Sequence, residues 1–553
     1  MRVDDFPACI RRNSLHSSSF RLRFFWSMEE TLDIPETSQD LGLEKSVFSK
    51  SYVVAVVFIL IAGVLFRFFI KSSLWLDEAL TVNISGLPVH DIPAALKKDG
   101  APPLFYFMLH YWMNIFGSSN LAVRSLPGVI GVLTLPVSYK CGTLVSRGVN
   151  KAEFGISAML LVAASPFAIY YSTDVRMYSL VVLFTGLGMI VFYSLIKRPS
   201  VVKSLGIGLV TSLLLYSHYW SLYLITVVGA SLVGGLFYDK YRKISLYGIL
   251  GIGIGCLTFI PWLPTFIYQS RHTGTPWAQP ASPTAIVQTV TQFAGGDSVM
   301  GRLVAIFLLL LLLFAIFGAP IDKYRVEIDL KTRSGVRYLG SVVFGTLALA
   351  IAGGYASKSA FSIRYTAVVF LLFICAVVFG ISSLKSHEVR QYFIIGVSII
   401  SLVASSVNIY TDRSESAIVG NTINKMAKPG DVVVYCPDQL GPAVYRVVTG
   451  KELQVVFPTF GSPKFVDWVD YQKRNQSANI VTFVNRVEAL ASNHNVFYVW
   501  EEGYLTFGVD CETMAGEFQA WRPTGTVLVE DQPSRYYEHE HLTLYPAQAK
   551  SGK

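Results

Sequence analysis

Charge is scarce in this chain. Of its 553 residues only 15% are Asp, Glu, Lys or Arg, against about 25% in soluble globular domains, and 52% are hydrophobic. That deficit excludes an ordinary soluble protein and points to a membrane protein. Cysteine is sparse too: Cys9, Cys141, Cys256, Cys375, Cys436 and Cys511 are scattered, with no pair at metal-ligand spacing. No zinc or dithiol centre is called for. A cleavable leader is not expected either. Residues 1–27 carry Arg11, Arg12, Arg21 and Arg23 but no long apolar core, and the first apolar run begins near Tyr52. That run reads as an uncleaved anchor behind a polar cytoplasmic tail over 1–50, with the start left open between Met1 and Met28. No basic tract interleaved with aromatics is present, so nucleic acid is not an expected partner.

What the chain has instead is long apolar runs, at 52–70, 123–146, 154–171, 177–196, 202–237, 245–263, 301–319, 338–356, 365–384 and 391–409. Most approach the roughly 17–25 residues needed to cross a bilayer as a helix. Run 202–237 is long enough for two crossings, with Ser217-His218-Tyr219 as the hairpin. The expectation is an all-α polytopic domain over 51–410, with about eleven transmembrane helices plus juxtamembrane helices.

Charge of one sign is unevenly placed. Residues 410–553 hold 13 Lys and Arg against 17 Asp and Glu, which leaves 33 against 20 in the rest of the chain. The basic surplus sits in short loops: Arg147 and Lys151, Lys197 to Lys203, Lys240 to Lys243, Lys323 to Arg337, Lys385 and Arg390. By the positive-inside rule all of these face the cytoplasm, provided that residues 102–117 do not cross. At 16 residues, with His110 and Asn114 inside and Tyr and Trp throughout, that stretch reads as an interfacial helix. The outer side then receives loops 71–122, 172–176 and 262–300, and the tail 411–553. The tail reads as a small extracytoplasmic α/β domain. Its expected strands are 431–435, 479–484 and 496–500, with helical patterns at 464–473 and 486–492. Cys436 and Cys511 would be free to pair there.

Scarce charge is informative where it survives. Asp77 and Glu78 follow Trp75 just outside the first span, and Asp174 and Arg176 stand at the mouth of a later one. Asp77, Glu78 and Asp174 are the candidate catalytic carboxylates, since a carboxylate at the membrane surface can accept a proton from an attacking hydroxyl. Solvated loop charge and a helix-capping Asp174 are the competing readings. Arg364, Arg176 and Arg124 offer planar forks matched to phosphate oxygens, with snorkelling as the alternative. His218 and Tyr365 complete the candidate donor-binding set. No metal ligands are assigned. No cofactor is required, and a divalent metal, though compatible with such chemistry, is not indicated by any motif.

These pieces occur in an order that resembles the C-type polytopic membrane glycosyltransferases. The likeness is to the bacterial branch related to protein O-mannosyltransferases and lipid A aminoarabinose transferases. The pieces are Trp75-x-Asp77-Glu78, Pro102-Pro103-Leu104-Phe105-Tyr106 running to Phe116-Gly117, Arg124-Ser125-Leu126-Pro127-Gly128, Asp174-x-Arg176-x-Tyr178, His218-Tyr219, Pro261-Trp262-Leu263-Pro264 and Arg364-Tyr365. The family's usual His or Lys before the Pro-Pro is here Gly100-Ala101. The resemblance implies a multi-pass cell-membrane enzyme that moves a sugar from a polyprenyl-phosphate donor to a cell-envelope glycan, lipid or protein on the outer face. It puts Asp77 and Asp174 at the family's two acidic loop positions, and the tail would help bind the acceptor or cover the site. The sugar is left open among hexoses, mannose included, and pentoses. The alternative is a flippase or exporter of lipid-linked saccharides, which should show paired hydropathy halves. No such internal repeat is visible.

The charge pattern makes a direct prediction. Topology reporters fused after Gly117 and after Tyr410 should report the outer side, and one after Lys243 the cytoplasm. A cytoplasmic signal after Gly117 would mean that 102–117 crosses, and the outer placement of the acidic loops would be lost.

Overall fold

A computed structural model describes residues 43–146, 150–274, 282–329, 334–357 and 361–547. The tail expectation for 1–42, the choice between Met1 and Met28, and Arg147, Lys331 and Arg333 lie outside the described residues.

The helices run in chain order as α1 (Lys50–Phe66), α2 (Leu76–Ser85), α3 (Ile92–Asp99), α4 (Leu104–Phe116), α5 (Asn120–Val145), α6 (Lys151–Ala164), α7 (Pro166–Ser172), α8 (Tyr178–Lys197), α9 (Val201–Ser217), α10 (Ser221–Gly235), α11 (Asp239–Thr258), α12 (Leu263–His272), α13 (Ala285–Phe293), α14 (Val299–Phe317), α15 (Ser334–Ser357), α16 (Ala367–Gly380) and α17 (His387–Tyr410). Among the described residues seven stretches are long and apolar enough to cross a membrane: Asn120–Val145, Tyr178–Lys197, Asp239–His272, Val299–Phe317, Val336–Ala356, Ile363–Ser383 and His387–Val407. The pair α6–α7, bent by 59°, makes an eighth, and α1, α9 and α10 are shorter apolar helices. Every apolar run of the sequence is therefore helical, and 202–237 folds as two helices with His218 at the turn between them. α16 is buried on all sides, as a helix hydrophobic all round must be, and forms the centre of the bundle.

The break between α6 and α7 has a clear cause and a repair. Pro166 has no amide hydrogen to give, so the last carbonyls of α6 lose their intrahelical partners. Arg67, buried at the end of α1, donates to Val162 O (2.8 Å) and Ala163 O (2.9 Å), and Ser405 Oγ donates to Ala164 O (2.9 Å). Gly63 allows this approach, because a Cβ there would lie 2.3 Å from Ala163 O. The bend delivers α7 and the loop carrying Asp174.

α4 has 13 residues, about 20 Å of helix at 1.5 Å per residue, which is shorter than the hydrocarbon core. It packs against α2 and α5. The stretch 262–300, expected as a loop, contains α12 and α13 instead.

After α17 come α18 (Ser416–Met426), α19 (Gly441–Tyr445), α20 (Tyr471–Gln476), α21 (Ile480–Ala491) and α22 (Asp510–Trp521). β1 (Gly318–Pro320) and β2 (Val326–Ile328) form a small hairpin in the membrane part. The C-terminal sheet has β3 (Val432–Cys436), β4 (Leu453–Val456), β5 (Val496–Trp500), β6 (Thr526–Val529) and β7 (His541–Tyr545), in the order β4-β3-β5-β7-β6. β3 is parallel to both β4 and β5, whereas β7 is antiparallel to β5 and β6. Two expectations are corrected. Residues 479–484 are helix, not strand: Asn479 caps α21 by accepting from Thr482 N, and Phe483, Val484, Val487 and Ala491 are buried at helical spacing. Residues 464–470 are not helical, because their backbone serves the membrane part. Lys464 O accepts from Asn83, and the amides of Trp468 and Asp470 donate to Lys98 O and His272 O.

Cys436 and Cys511 are joined by a disulfide across 75 residues of sequence and are buried. Thiol labelling of the denatured full-length chain should modify these two cysteines only after reduction. Labelling of both without reductant would remove the bond.

Candidate functional site

Asp77 and Glu78 occupy the first turn of α2, where the helix dipole favours negative charge. Successive helical residues point about 100° apart, so the doublet splits. Glu78 turns inward and is fully buried. Its Oε1 accepts from Arg124 Nε (2.8 Å) and Val175 N (3.1 Å), and its Oε2 accepts from Arg124 Nη2 (2.5 Å). Arg124 also donates to the carbonyls of Ser72 (2.5 Å) and Ser73 (3.0 Å). Both oxygens of Glu78 are thus committed inside the protein.

Asp77 turns to the rim. Its side chain keeps 13% exposure and its Oδ2 accepts from Arg364 Nη1 at 2.5 Å, with Arg364 itself 16% exposed. Arg364 lies against the rings of Trp75 and Tyr365, at 5.9 and 5.7 Å. Burial pushes the Asp77 carboxyl up, but the guanidiniums of Arg364 and Arg176 outweigh it and hold it below its ordinary value.

Asp174 is buried beside Glu78. It accepts from Trp75 Nε1 (3.2 Å) and lies 3.8 Å from Arg413 Nη1. Burial first, then the charge of Glu78, pushes it up to about 6. Arg176 donates to Thr81 Oγ1 (3.0 Å) and Tyr106 Oη (3.3 Å), and Tyr106 donates to Asp99 Oδ2 (2.7 Å). Among the described residues no carboxylate makes an ion pair with Arg176 within 4.0 Å. His218 is buried against Tyr178 and Tyr365, and its Nδ1 accepts from Trp220 N (3.1 Å). Burial, then Arg176 and Arg364, pushes it down to about 3, so its imidazole is neutral at pH 7.

Every candidate from the sequence therefore falls in one region. Asp77, Arg364, Tyr365, Arg176 and His218 gather on one side, and Glu78, Arg124 and Asp174 form the buried layer behind them. Several members were not visible in the sequence. Arg413, just past α17, donates to Thr173 O and Thr173 Oγ1, reaches Glu78 at 3.7 Å and covers the Tyr170 ring at 4.2 Å. Glu538 Oε2 accepts from Leu76 N (3.0 Å), and Tyr537 meets Trp75 edge-on at 5.5 Å. Asp99, the last residue of α3, and Tyr106, part of the Pro102–Tyr106 motif but not a candidate site residue, join them. Only the membrane-proximal position of Asp412-Arg413 could have flagged any of these.

No protein-family model matches the chain, and no curated protein matches it in sequence. Solved structures do match. The crystal structure of ArnT from Cupriavidus metallidurans bound to undecaprenyl phosphate has 13% sequence identity and a TM-score of 0.54, over 91% of this chain and 99% of that one. The apo state of the same protein gives 11% identity and a TM-score of 0.54, over 90% and 99%. The chain has the fold of ArnT over the membrane part and the C-terminal domain together.

The raised Asp174 carries a signed pH prediction. A folded-state value above the ordinary 3.8 means that the fold favours the protonated form. Its stabilising contribution is complete below about pH 4 and is lost as pH rises through about 6. Asp174→Asn does not titrate, so the gap in thermal midpoint between wild type and variant should close or reverse over that window in detergent. Parallel midpoints from about pH 4 to pH 7 would show that Asp174 is ionised throughout.

Proposed function

We propose that the protein is a membrane glycosyltransferase that takes a sugar from a polyprenyl-phosphate donor and passes it to a hydroxyl of a cell-envelope acceptor, with inversion. The observation that carries this reading is the half-open Asp77–Arg364 pair, the least buried ion pair of the central charge cluster, on a fold shared with a protein crystallised with undecaprenyl phosphate.

In this reading the donor phosphate binds Arg364 and Arg176. Arg176 has hydroxyl partners and, among the described residues, no ion-paired carboxylate, so an anion would complete it. Once the phosphate takes Arg364, the cation is withdrawn from Asp77 and the carboxylate becomes more basic. The acceptor oxygen attacks the anomeric carbon, its proton passes to Asp77, the bond from that carbon to the phosphate oxygen breaks, and polyprenyl phosphate leaves with the electron pair. The arginines offset the charge that develops on the leaving group. His218 and Tyr365 wall the donor side as neutral groups.

Glu78, Asp174 and Arg124 take positioning roles here. Their polar atoms are turned to protein partners, so they set the direction of Asp77 and Trp75 rather than touch substrate. In this reading the site and the C-terminal domain lie on the outer face of the cell membrane, which the positive-inside bias of the basic loops supports.

Asp77→Asn preserves shape but removes the proton acceptor, so kcat with a labelled polyprenyl-phosphate sugar should fall by about 10²–10⁴-fold at matched protein level. Arg364→Ala should instead raise the KM for the donor, and Arg364→Lys should restore only part, since a point charge cannot reproduce the planar fork. Near-normal turnover by Asp77→Asn would move the base elsewhere.

A further inference from the structure

The start of β7 gathers charge of one sign on the C-terminal-domain side of the site described above, beyond Glu538. Glu415, Glu501, Asp531, Glu538 and Glu540 come together, and among the described residues no Lys or Arg makes an ion pair with any of them. Arg535, the nearest candidate in sequence, is paired with Asp412 at 3.0 Å. The basic neighbours are imidazoles. His539 Nδ1 lies 2.8 Å from Glu501 Oε2 and 3.1 Å from Asp531 Oδ2. One imidazole nitrogen carries at most one proton, so it cannot donate fully to both oxygens. The ligand-type atoms of Glu501, Asp531 and His539 all lie within 4.8 Å of one another.

A second observation is a buried carboxylate oxygen of the triad itself: Glu501 is 7% exposed, and its Oε2 makes no hydrogen bond among the described residues. Glu540 is fully buried, and neither of its carboxylate oxygens has a hydrogen-bond partner among the described residues. The charges that reach it are those of Glu538, Glu415 and Glu501, all of its own sign. An ionised carboxylate in such surroundings is costly unless a proton neutralises it or a cation compensates it.

We propose that Glu501, Asp531 and His539 bind a divalent transition-metal ion of the zinc class, with Glu540 supplying further negative charge behind it. One imidazole nitrogen with two carboxylate oxygens suits zinc better than magnesium or calcium, which take all-oxygen sets. Three protein ligands leave room for water as the fourth. The ion holds His539, and through it the preceding Tyr537 and Glu538, which touch Trp75 and the Leu76 amide. It is therefore a tie between the C-terminal domain and the loop that starts α2. The inference does not depend on the transferase reading.

The test uses the full-length chain in detergent, stripped with a chelator and dialysed against Zn²⁺. About one equivalent retained and a higher thermal midpoint are expected for wild type. His539→Ala and Glu501→Gln should lose both, while Glu530→Gln, which changes an exposed neighbour outside the triad, should keep them. Should those variants fail to fold, Co²⁺ bound to wild type gives the readout: visible d–d absorption that Zn²⁺ bleaches supports the site. Retention and midpoint shift that are equal in wild type and His539→Ala would overturn it. So would a wild-type chain that holds no Zn²⁺ and shows no Co²⁺ band.

Discussion

The buried pair between Glu78 and Arg124 is the constraint on which the rest of the site depends. It joins α2 to α5, and its spare bonding capacity takes up the carbonyls of Ser72 and Ser73 and the amide of Val175. Two charges taken out of water offset their desolvation only when the geometry is good and the remaining donors and acceptors are used. Here the fork is bidentate, and three backbone groups from two loops complete it. Loss of either partner would strand a buried charge, at a cost of about 3–5 kcal/mol. Because Asp77 is the neighbour of Glu78 on the same helical turn, anchoring one inward commits the other to the rim.

That arrangement decides how the remaining charges behave. Asp77 and Asp174 are both acidic residues beside arginines, yet they shift in opposite directions. Asp77 has Arg364 in direct contact, whereas Asp174 is raised first by burial and then by the charge of Glu78, which Arg413 at 3.8 Å does not offset. The same low-polarity surroundings that raise Asp174 push His218 down and keep it neutral. On the proposed reading, a neutral imidazole beside two guanidiniums adds no competing cation where an anionic donor would settle. Arg176 has hydroxyl partners, so on the same reading an incoming phosphate would have less to displace there than at Arg364.

Much of this was legible in the sequence, for definite reasons. Apolar runs long enough to span became helices because a bilayer leaves the backbone no other way to satisfy itself. Asp77, Glu78, Asp174, Arg176 and Arg364 stood out because charge beside such runs is rare. What could not be read was pairing at a distance. The partners of Arg413 and Glu538 lie 240 and 462 residues away, and no local pattern encodes such a contact. Residues 479–484 were misread because a short apolar run fits strand or helix equally well; the cap at Asn479 and the buried Val487 and Ala491 decide for helix. Residues 464–470 carried a helical pattern that their contacts with Asn83, Lys98 and His272 override.

The C-terminal domain is more than a cover on this account. Arg413 N donates to Ser72 Oγ (2.6 Å), Ser73 Oγ donates to Ser414 O (3.1 Å), and Glu538 receives the Leu76 amide. That amide is one of the first of α2, a group with no partner inside its own helix. The soluble domain therefore caps the helix that carries Asp77, while Arg413 shares Glu78 and Asp174 with the membrane part. Neither unit satisfies its polar groups alone. A cover could be removed and leave the charges behind it in place. Here removal would uncap α2 and take away one of the cations that balance the buried acids, so the orientation of Asp77 is a property of the two units together.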